Sequence, residues 1–403
     1  MDVKNDMLDY IHWRGDLTFE QDPFNEADAL LFSMLSYIHF QDVVEEDGTE
    51  ISIQDASEKY FSLHPEKEME EDNTFTRYTP LLMKEMAETV RFHDVTLSHF
   101  VNMVDLSESI QMSAVVFHLP AFFFVSYRGT DKTIAGWKED FNISYTATTG
   151  QKESVEYLKK VCREVKGDFM TGGHSKGGSF SVYASSFAGY GIQKRLLHAW
   201  SFDGPGLQPQ LRHEPGYIAA KDKILKYVPE ESMIGMIFSE DDELHVFEST
   251  AKGPMQHDAF TWKIMGNRMI KAEEVSDLSR YFLTVIQTFL EKTDEDTRAF
   301  FIDTLFSFFE ATDAMTFEEI RGSLFTSLKK MGPVWDSLSD ETGKEMMAVV
   351  NAFLNSMWDS RSALFNTNEK KPWYLSVTDD LFGITKKEKN ESGNEPEKDD
   401  GSE

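Results

Sequence analysis

The chain has 403 residues, with 40 Lys and Arg against 70 Asp and Glu, and a formal net charge of −30. Such an excess of negative charge opposes phosphate backbones and anionic bilayers, which argues against nucleic-acid binding and against membrane attachment through basic charge. Hydrophobic residues make up 40% of the chain, enough for a substantial core and too many for general disorder. At about 100–200 residues per domain, the length predicts two units or one large domain with an appendage.

Cysteine usage and hydropathy indicate the compartment. A single cysteine, Cys162, cannot form an intramolecular disulfide, and no Cys/His cluster has the spacing of zinc ligands. The first residues, MDVKNDMLDYIHW, lack the basic and apolar regions of a signal peptide. The most apolar stretch, residues 115–127, contains His118 and Pro120 and is shorter than the roughly 18 residues that span a bilayer. These features predict a cytoplasmic protein with no transmembrane segment and no metal site.

Hydrophobic periodicity changes along the chain and predicts four regions. Residues 1–110 are expected to form a helical region packed on the core. Over residues 111–270, short runs rich in Val, Phe and Tyr alternate with amphipathic helices, which predicts an α/β core with a mostly parallel sheet. A helical C-terminal region follows over 271–384. Residues 385–403 contain no hydrophobic residue, so this charged tail is expected to be disordered.

The predicted elements fall in a simple order. Helices are expected over 27–40, 81–92, 154–165 and 179–188, and strands over 114–117, 122–127, 169–171, 199–202, 224–228, 233–238 and 245–248. The C-terminal helices carry a wide aromatic face that includes Phe300, Phe301 and Phe308. Three roles are open for this face: packing on the α/β core, the contact of a homodimer, or a lid over an apolar substrate.

The segment Gly173-His-Ser175-Lys-Gly177 lies between a predicted strand and a predicted helix. This G-x-S-x-G pattern is typical of a nucleophile elbow, in which a strained turn exposes the serine hydroxyl above the sheet edge. Gly173 and Gly177 are needed because a Cβ at either position would clash where the strand and the helix crowd together. The backbone N–H groups after Ser175 would then point at the same place and stabilise an oxyanion. The alternative is an ordinary glycine-rich turn.

An elbow serine needs a base, and in hydrolases of this class the chain order is Ser, then Asp or Glu, then His. The histidines that follow the serine are His198, His213, His245 and His257. We prefer His257, because its loop follows the last predicted strands, where the base usually reaches over the nucleophile. The alternative is a histidine in a surface loop.

Several carboxylates could complete the site. Asp203 directly follows the predicted strand at 199–202, at a carboxyl end where α/β sites collect, and is our first choice. Glu231 follows the next strand, in the more usual position for the acid, and Asp241 and Asp242 follow the run after it. Asp203 could instead be a turn residue, since Asp-Gly-Pro is turn chemistry by itself. The pattern leaves this choice open.

The oxyanion site would need two donors. The first is the backbone N–H of Lys176, whose side chain would either draw in an anionic acyl substrate or form a surface ion pair. The second is expected from Arg128-Gly129-Thr130, at the end of a predicted strand. Gly129 would let the backbone approach the substrate, and Thr130 offers both an N–H and a hydroxyl. Alternatively, Arg128 and Gly129 simply close the strand.

Taken together, these segments resemble a known pattern. Tyr127-Arg-Gly-Thr130, the pair Trp137 and Asp140, and Gly173-His-Ser-Lys-Gly-Gly178 are similar to the motifs of class 3 lipases. More closely, the chain resembles a bacterial lipase-like family of unknown function that is related to those enzymes. The likeness covers roughly residues 5–265. Its other carriers are Trp13-Arg-Gly-Asp-Leu-Thr-Phe19, Pro23-Phe-Asn-Glu26, Leu35-Ser-Tyr37, Phe202-Asp-Gly-Pro-Gly206, Ser232-Met-Ile-Gly235 and Gln256-His-Asp258.

The resemblance implies an α/β-hydrolase fold, with Ser175 as nucleophile, His257 as base, and Lys176 and Thr130 as oxyanion donors. It also exposes a departure, because class 3 lipases carry their acid in an Asp-x-Val-Pro segment where this chain has residues 232–235. The leading hypothesis is a serine hydrolase for small acyl or lipid-like esters that needs no metal or organic cofactor. The alternatives are a degenerate hydrolase fold used as an interaction module and an acyltransferase that forms the same acyl-enzyme.

Overall fold

The structure is a computed structural model that describes residues 4–65, 75–105, 110–129, 148–239, 242–277, 279, 280 and 283. The predictions for Thr130, Asp140, Asp241, most of the C-terminal region 271–384 and the tail 385–403 lie outside these residues. The α-helices described are α1 (Met7–Arg14), α2 (Glu26–Leu35), α3 (Ile53–Leu63), α4 (Thr79–Ala87), α5 (Thr149–Glu164), α6 (Lys176–Phe187), α7 (Tyr190–Gln193), α8 (Pro209–Arg212) and α9 (Pro215–Ala220). The strands described are β1 (Ile51–Ser52), β2 (Thr96–Asp105), β3 (Ile110–His118), β4 (Phe123–Tyr127), β5 (Phe169–His174), β6 (Leu196–Phe202), β7 (Ile224–Pro229), β8 (Leu244–Phe247), β9 (Ile264–Met265) and β10 (Arg268–Met269).

Strands β1 to β8 form one sheet in which the order across the sheet is the order along the chain. Strands β1 to β4 pair antiparallel, and β4 to β8 pair parallel, so four of the seven pairings are parallel. Parallel neighbours need crossover connections, and helices α5 and α6 occupy the first two of them. The predicted α/β class with a mostly parallel central sheet is confirmed.

Successive side chains of a strand point to opposite faces of the sheet, and both faces of this sheet carry apolar side chains. Helices therefore pack against both faces. On β4, Phe124 packs into a hydrophobic cluster with residues of α1 to α4, including Leu30 and Phe32. Its neighbours Phe123 and Val125 belong to a second cluster built largely by α5 and α6. Strand β4 is therefore buried on both faces, and its neighbour β5 is buried along its whole length.

Two strands lie in the N-terminal region, where only helices were predicted. β1 is short, but β2 pairs with β3 along its length and extends the sheet. A register shift between Ser98 and Val101 interrupts the pairing. Such a bulge breaks the regular alternation of buried and exposed residues, which is the signal by which a strand is recognised in a sequence.

The prediction of a strand over residues 233–238 is wrong. The chain instead makes successive turns there, with hydrogen bonds from the Ile237 N–H to the Ile234 carbonyl and from the Ser239 N–H to the Met236 carbonyl. The run is apolar because Met233, Ile234, Met236 and Ile237 are buried, not because it pairs in the sheet. A short apolar run has the same pattern in either case.

Candidate active site

Ser175 lies on the turn between the end of β5 and the start of α6. Its backbone has φ 56° and ψ −131°, a conformation that non-glycine residues rarely adopt and that costs on the order of 1–3 kcal/mol. Two hydrogen bonds hold the turn: the Ser175 N–H donates to the Phe202 carbonyl at 2.9 Å, and the Gly178 N–H donates to the Ser175 carbonyl at 2.9 Å. This is the backbone geometry of a nucleophile elbow.

The glycines around Ser175 are required by close packing. A Cβ on Gly173 would lie 2.3 Å from the Gly177 carbonyl carbon, and one on Gly177 would lie 2.1 Å from the Tyr127 carbonyl oxygen. Gly129, at the end of β4, is equally confined, because a Cβ there would lie 2.0 Å from the Tyr37 hydroxyl and 2.8 Å from the His174 carbonyl oxygen. Strand β4, the turn and helix α6 therefore meet with no room for side chains.

A histidine and a carboxylate are paired at the same edge of the sheet. The Nδ1 atom of His257 lies 2.6 Å from Oδ2 of Asp203, which follows β6 directly. The Asp203 side chain is 1% exposed and that of His257 is 11% exposed. Asp203 also has a positive φ, 48°, and its N–H donates to the Tyr227 carbonyl on the neighbouring strand at 2.8 Å. The carboxylate is thus held over the ends of β6 and β7.

His174 connects this pair to the turn that carries Ser175. Its Nε2 lies 2.9 Å from the backbone carbonyl oxygen of His257, and the two rings are 4.7 Å apart between centroids. On the other side of Ser175, a Cβ added to Gly204 would lie 2.7 Å from the Ser175 carbonyl oxygen. Ser175, Asp203 and His257 therefore come together at the carboxyl ends of β5 and β6, although the chain separates them widely.

The tautomer of His174 follows from its partners. A carbonyl oxygen can only accept, so Nε2 carries the proton and donates to His257, while Nδ1 accepts from the Tyr37 hydroxyl at 2.9 Å. Burial, together with the positive charge that His257 can carry, holds the pKa of His174 well below its ordinary value of 6.5. His174 is therefore a neutral cross-link between the segment just after α2, the turn that carries Ser175 and the loop of His257.

This cross-link gives a testable pH dependence. The unfolded chain takes up a proton at this histidine near pH 6.5, whereas the fold binds the neutral form, so its stabilisation is present above pH 6.5 and is lost as the pH falls. Between pH 6.5 and 5 we expect the unfolding free energy of the wild type to fall more steeply than that of His174→Gln, by up to about 1.4 kcal/mol per pH unit. Urea denaturation at a series of pH values measures both slopes, and parallel curves would contradict the assignment.

The other predicted acids have different partners. The Glu231 carboxylate accepts a hydrogen bond from the backbone N–H of Gly253 and so anchors the loop that carries His257. Asp242, next to the predicted Asp241, pairs with Lys226 at 3.2 Å and lies 3.6 Å from Arg212. Among the candidate acids that the structure describes, Asp203 is the one whose carboxylate lies within hydrogen-bonding distance of His257 Nδ1.

Lys176 and Arg128 are buried beneath the site. The Lys176 side chain is 1% exposed, and its ammonium donates to Oε1 of Gln111 on β3 at 2.8 Å. The prediction of a surface ion pair for this lysine is therefore wrong, because the side chain is buried. Arg128 is 1% exposed and donates to Oδ1 of Asn102 on β2 at 2.7 Å. Lys176 thus ties the start of α6 to β3, and Arg128 ties the chain after β4 to β2.

Three supporting residues were given no role from the sequence. Tyr37 contacts His174, and Ser232 donates to Asp203 at 2.5 Å. Gln256 accepts from the Glu231 N–H at 2.9 Å and donates to the Ala251 carbonyl at 3.1 Å, which fastens the loop just before His257. Each lies in a segment on which the resemblance to the lipase-like family rests. That resemblance is the one sequence feature that could have pointed to these residues.

Two other kinds of site, a metal centre and a membrane span, are absent from the ranges that the structure describes. Within these ranges, no group of three or more His, Cys, Asp or Glu side chains is arranged to hold a metal ion. In the same part of the chain, every helix is too short or too polar to cross a membrane.

Comparison with known proteins adds one finding. The family model described as Mbeg1-like matches residues 86–307, which is more than half of the 403-residue chain and includes Ser175, Asp203 and His257. No curated protein and no solved structure matches the chain. The chain belongs to the Mbeg1-like family, which is a lipase-like family.

Proposed function

We propose that the protein is a serine hydrolase that cleaves carboxylic esters through an acyl-enzyme on Ser175. The observation that carries the proposal is the strained serine at the β5–α6 turn, beside a hydrogen-bonded pair of His257 and Asp203. Strain of this kind persists only where the surroundings enforce it, and such positions cluster at active sites. Membership of a lipase-like family supports the same reaction class.

We further propose that the α/β core is an α/β-hydrolase fold. In support, the nucleophile follows β5, the acid follows β6 and the base lies on a loop after β8, so the chain order is Ser, Asp, His. All three residues lie at the carboxyl edge of the parallel strands, where ligands bind in open α/β sheets. The serine turn and the late histidine support the relation to class 3 lipases that the motifs imply, whereas the proposed acid follows β6, one strand before the class 3 position after β7.

In this mechanism, Ser175 Oγ attacks the ester carbonyl carbon while His257 Nε2 takes the hydroxyl proton. Asp203 accepts from Nδ1–H and keeps the imidazole in the tautomer that leaves Nε2 free to act as base. The negative charge that forms on the carbonyl oxygen is received by the backbone N–H of Lys176, at the N-terminus of α6. Thr130, the predicted second donor, lies outside the described residues.

The tetrahedral intermediate then collapses. The bond to the alcohol breaks, and His257 returns the proton to the leaving alkoxide, which leaves the acyl group on Ser175. Water enters, His257 takes one of its protons, and the hydroxide attacks the acyl carbon. The carboxylic acid departs, and the proton on His257 restores the Ser175 hydroxyl. No other reactant is consumed.

A fluorophosphonate probe tests the proposal directly, because it reacts only with an activated serine: the Oγ–phosphorus bond forms and fluoride leaves. We expect stoichiometric labelling of the wild type and none of Ser175→Ala. Ser179→Ala is the matched control, since Ser179 lies one turn along the same helix and is also buried. It should label like the wild type.

Absence of labelling in a folded wild type would overturn the hydrolase and favour a degenerate fold used as an interaction module. Hydrolysis and acyl transfer are separated by product analysis with p-nitrophenyl butyrate in the presence of an added alcohol. Free butyrate is expected as the main product. A butyrate ester of the alcohol as the main product would instead indicate an acyltransferase, because the two reactions share the acyl-enzyme and differ only in the acceptor.

A further inference from the structure

We propose that Ser232 is a positioning residue that orients Asp203 and, through it, His257. This inference rests on the proposed function and deepens it. Asp203 uses its two oxygens differently: Oδ2 faces His257 Nδ1 at 2.6 Å, while Oδ1 accepts from Ser232 Oγ at 2.5 Å and from the Gly235 N–H at 3.1 Å. Asp203 and Ser232 are 1% and 2% exposed, so water cannot readily replace the hydroxyl.

The turn over residues 232–239 is shaped to present these donors. It begins just after β7, where the Ser232 N–H donates to the Pro229 carbonyl at 3.0 Å. A Cβ on Gly235 would lie 2.3 Å from Asp203 Oδ1, so only glycine allows its N–H to approach the carboxylate. The two donors therefore come from a segment whose backbone fits closely around one oxygen.

The far end of the turn is held as firmly. Ser239 Oγ donates to the Gly235 carbonyl at 2.6 Å, and the ammonium of Lys226 in turn donates to Ser239 Oγ. Lys226 lies on β7, is 3% exposed and pairs with Asp242 at 3.2 Å. A buried ion pair thus holds Ser239, and Ser239 holds the peptide that follows Gly235, next to the one whose N–H donates to Asp203.

Fixing Oδ1 fixes Oδ2. A carboxylate rotates readily about its Cβ–Cγ bond, and Asp203 also occupies a strained positive φ. Two donors on one oxygen remove this freedom and aim the other oxygen at Nδ1–H of His257. Loss of the Ser232 hydroxyl would leave Gly235 as the one described donor to Oδ1, so the carboxylate would sample other orientations and His257 would lose part of its alignment.

The test is a double-mutant cycle read by the second-order rate constant of fluorophosphonate labelling. Ser232→Ala is expected to lower this constant about tenfold, in line with the loss of one hydrogen bond to a charged group. Ser232→Thr keeps the hydroxyl and is expected to recover most of the rate. In an Asp203→Asn background, Ser232→Ala is expected to cause less than a twofold further change, because its effect passes through Asp203.

The outcomes separate the two proposals. If the folded wild type is not labelled, the proposed function fails. If it is labelled and Ser232→Ala has no effect, or slows labelling equally in both backgrounds, the positioning role fails while the hydrolase stands. Circular dichroism establishes folding. If Ser232→Ala does not fold, Ser232→Cys replaces it, since a thiol is a weaker donor than a hydroxyl. Labelling of the cysteine variant as fast as that of Ser232→Thr would then overturn the inference.

Discussion

Asp203→Asn is expected to slow fluorophosphonate labelling of Ser175 by about 10⁴-fold without unfolding the protein. The reason lies in which nitrogen of His257 carries the proton. The wild-type carboxylate accepts from Nδ1–H, which leaves Nε2 able to take the proton of Ser175. An amide nitrogen facing Nδ1 would instead donate to it, the proton would move to Nε2, and the base would be blocked.

The surroundings of Asp203 decide how an asparagine would sit. The Gly235 N–H, a donor only, points at the Oδ1 position together with the Ser232 hydroxyl. An asparagine would place its oxygen there, because an NH₂ group would face the N–H. Its NH₂ group would then be directed at His257. In the variant, Ser232 and Gly235 would thus favour the His257 tautomer that carries its proton on Nε2. This is why we expect a large loss of labelling rate and not a partial one.

Glu231→Gln is the matched control for the Asp203 variant. It also replaces a carboxylate by an amide near the loop of His257, and the amide oxygen can still accept from the Gly253 N–H. We expect its labelling rate to stay within about fivefold of the wild type. Equal losses in the two variants would remove Asp203 from the role of acid, and a larger loss in Glu231→Gln would transfer that role to Glu231.

The nucleophile turn was predictable because its causes are local. Strand, glycines, serine and helix are contiguous in the chain, and the clash that requires Gly173 and Gly177 arises between residues only a few positions apart or on the adjacent strand. Short runs rich in Val, Phe and Tyr also predicted the parallel strands from β4 to β8. In contrast, the sequence pattern could not distinguish β2 from a helical region, because its bulge hides the alternation.

The acid was harder to predict because its partners are distant in sequence. Ser232 is 29 residues from Asp203, and His257 is 54 residues away, so their proximity depends on β6 and β7 being neighbours in the sheet. A serine hydroxyl and a glycine N–H also have no pattern of their own. From the sequence, residues 232–235 were therefore only a segment without the expected acid. In the structure, Ser232 and Gly235 hold the carboxylate of Asp203, which follows the neighbouring strand β6.

Arg91→Met is expected to destabilise the protein by about 3–5 kcal/mol, because it would leave the Asp28 carboxylate buried without its counter-ion. The guanidinium binds Asp28 through two nitrogens, Nη2 at 2.5 Å and Nε at 2.9 Å, and both side chains are fully buried. It also donates to the Asp22 carbonyl at 2.8 Å. Burial raises the pKa of Asp28, and Arg91 opposes this rise, so the carboxyl of the variant would be still harder to ionise.

The pair matters to the site because Asp28 lies in the first turn of α2, and the chain just beyond this helix carries Tyr37, the partner of His174.

Chemical denaturation followed by circular dichroism measures the loss of stability in Arg91→Met. Adding Asp28→Asn to Arg91→Met removes the orphaned charge and is expected to recover at least 1 kcal/mol, so the two effects should not add. Lys159→Met, which breaks an exposed pair with Glu156, should change stability by less than about 0.5 kcal/mol. A loss below 1 kcal/mol in Arg91→Met, or additive losses in the double variant, would show that the ion pair is not what holds α2 in place.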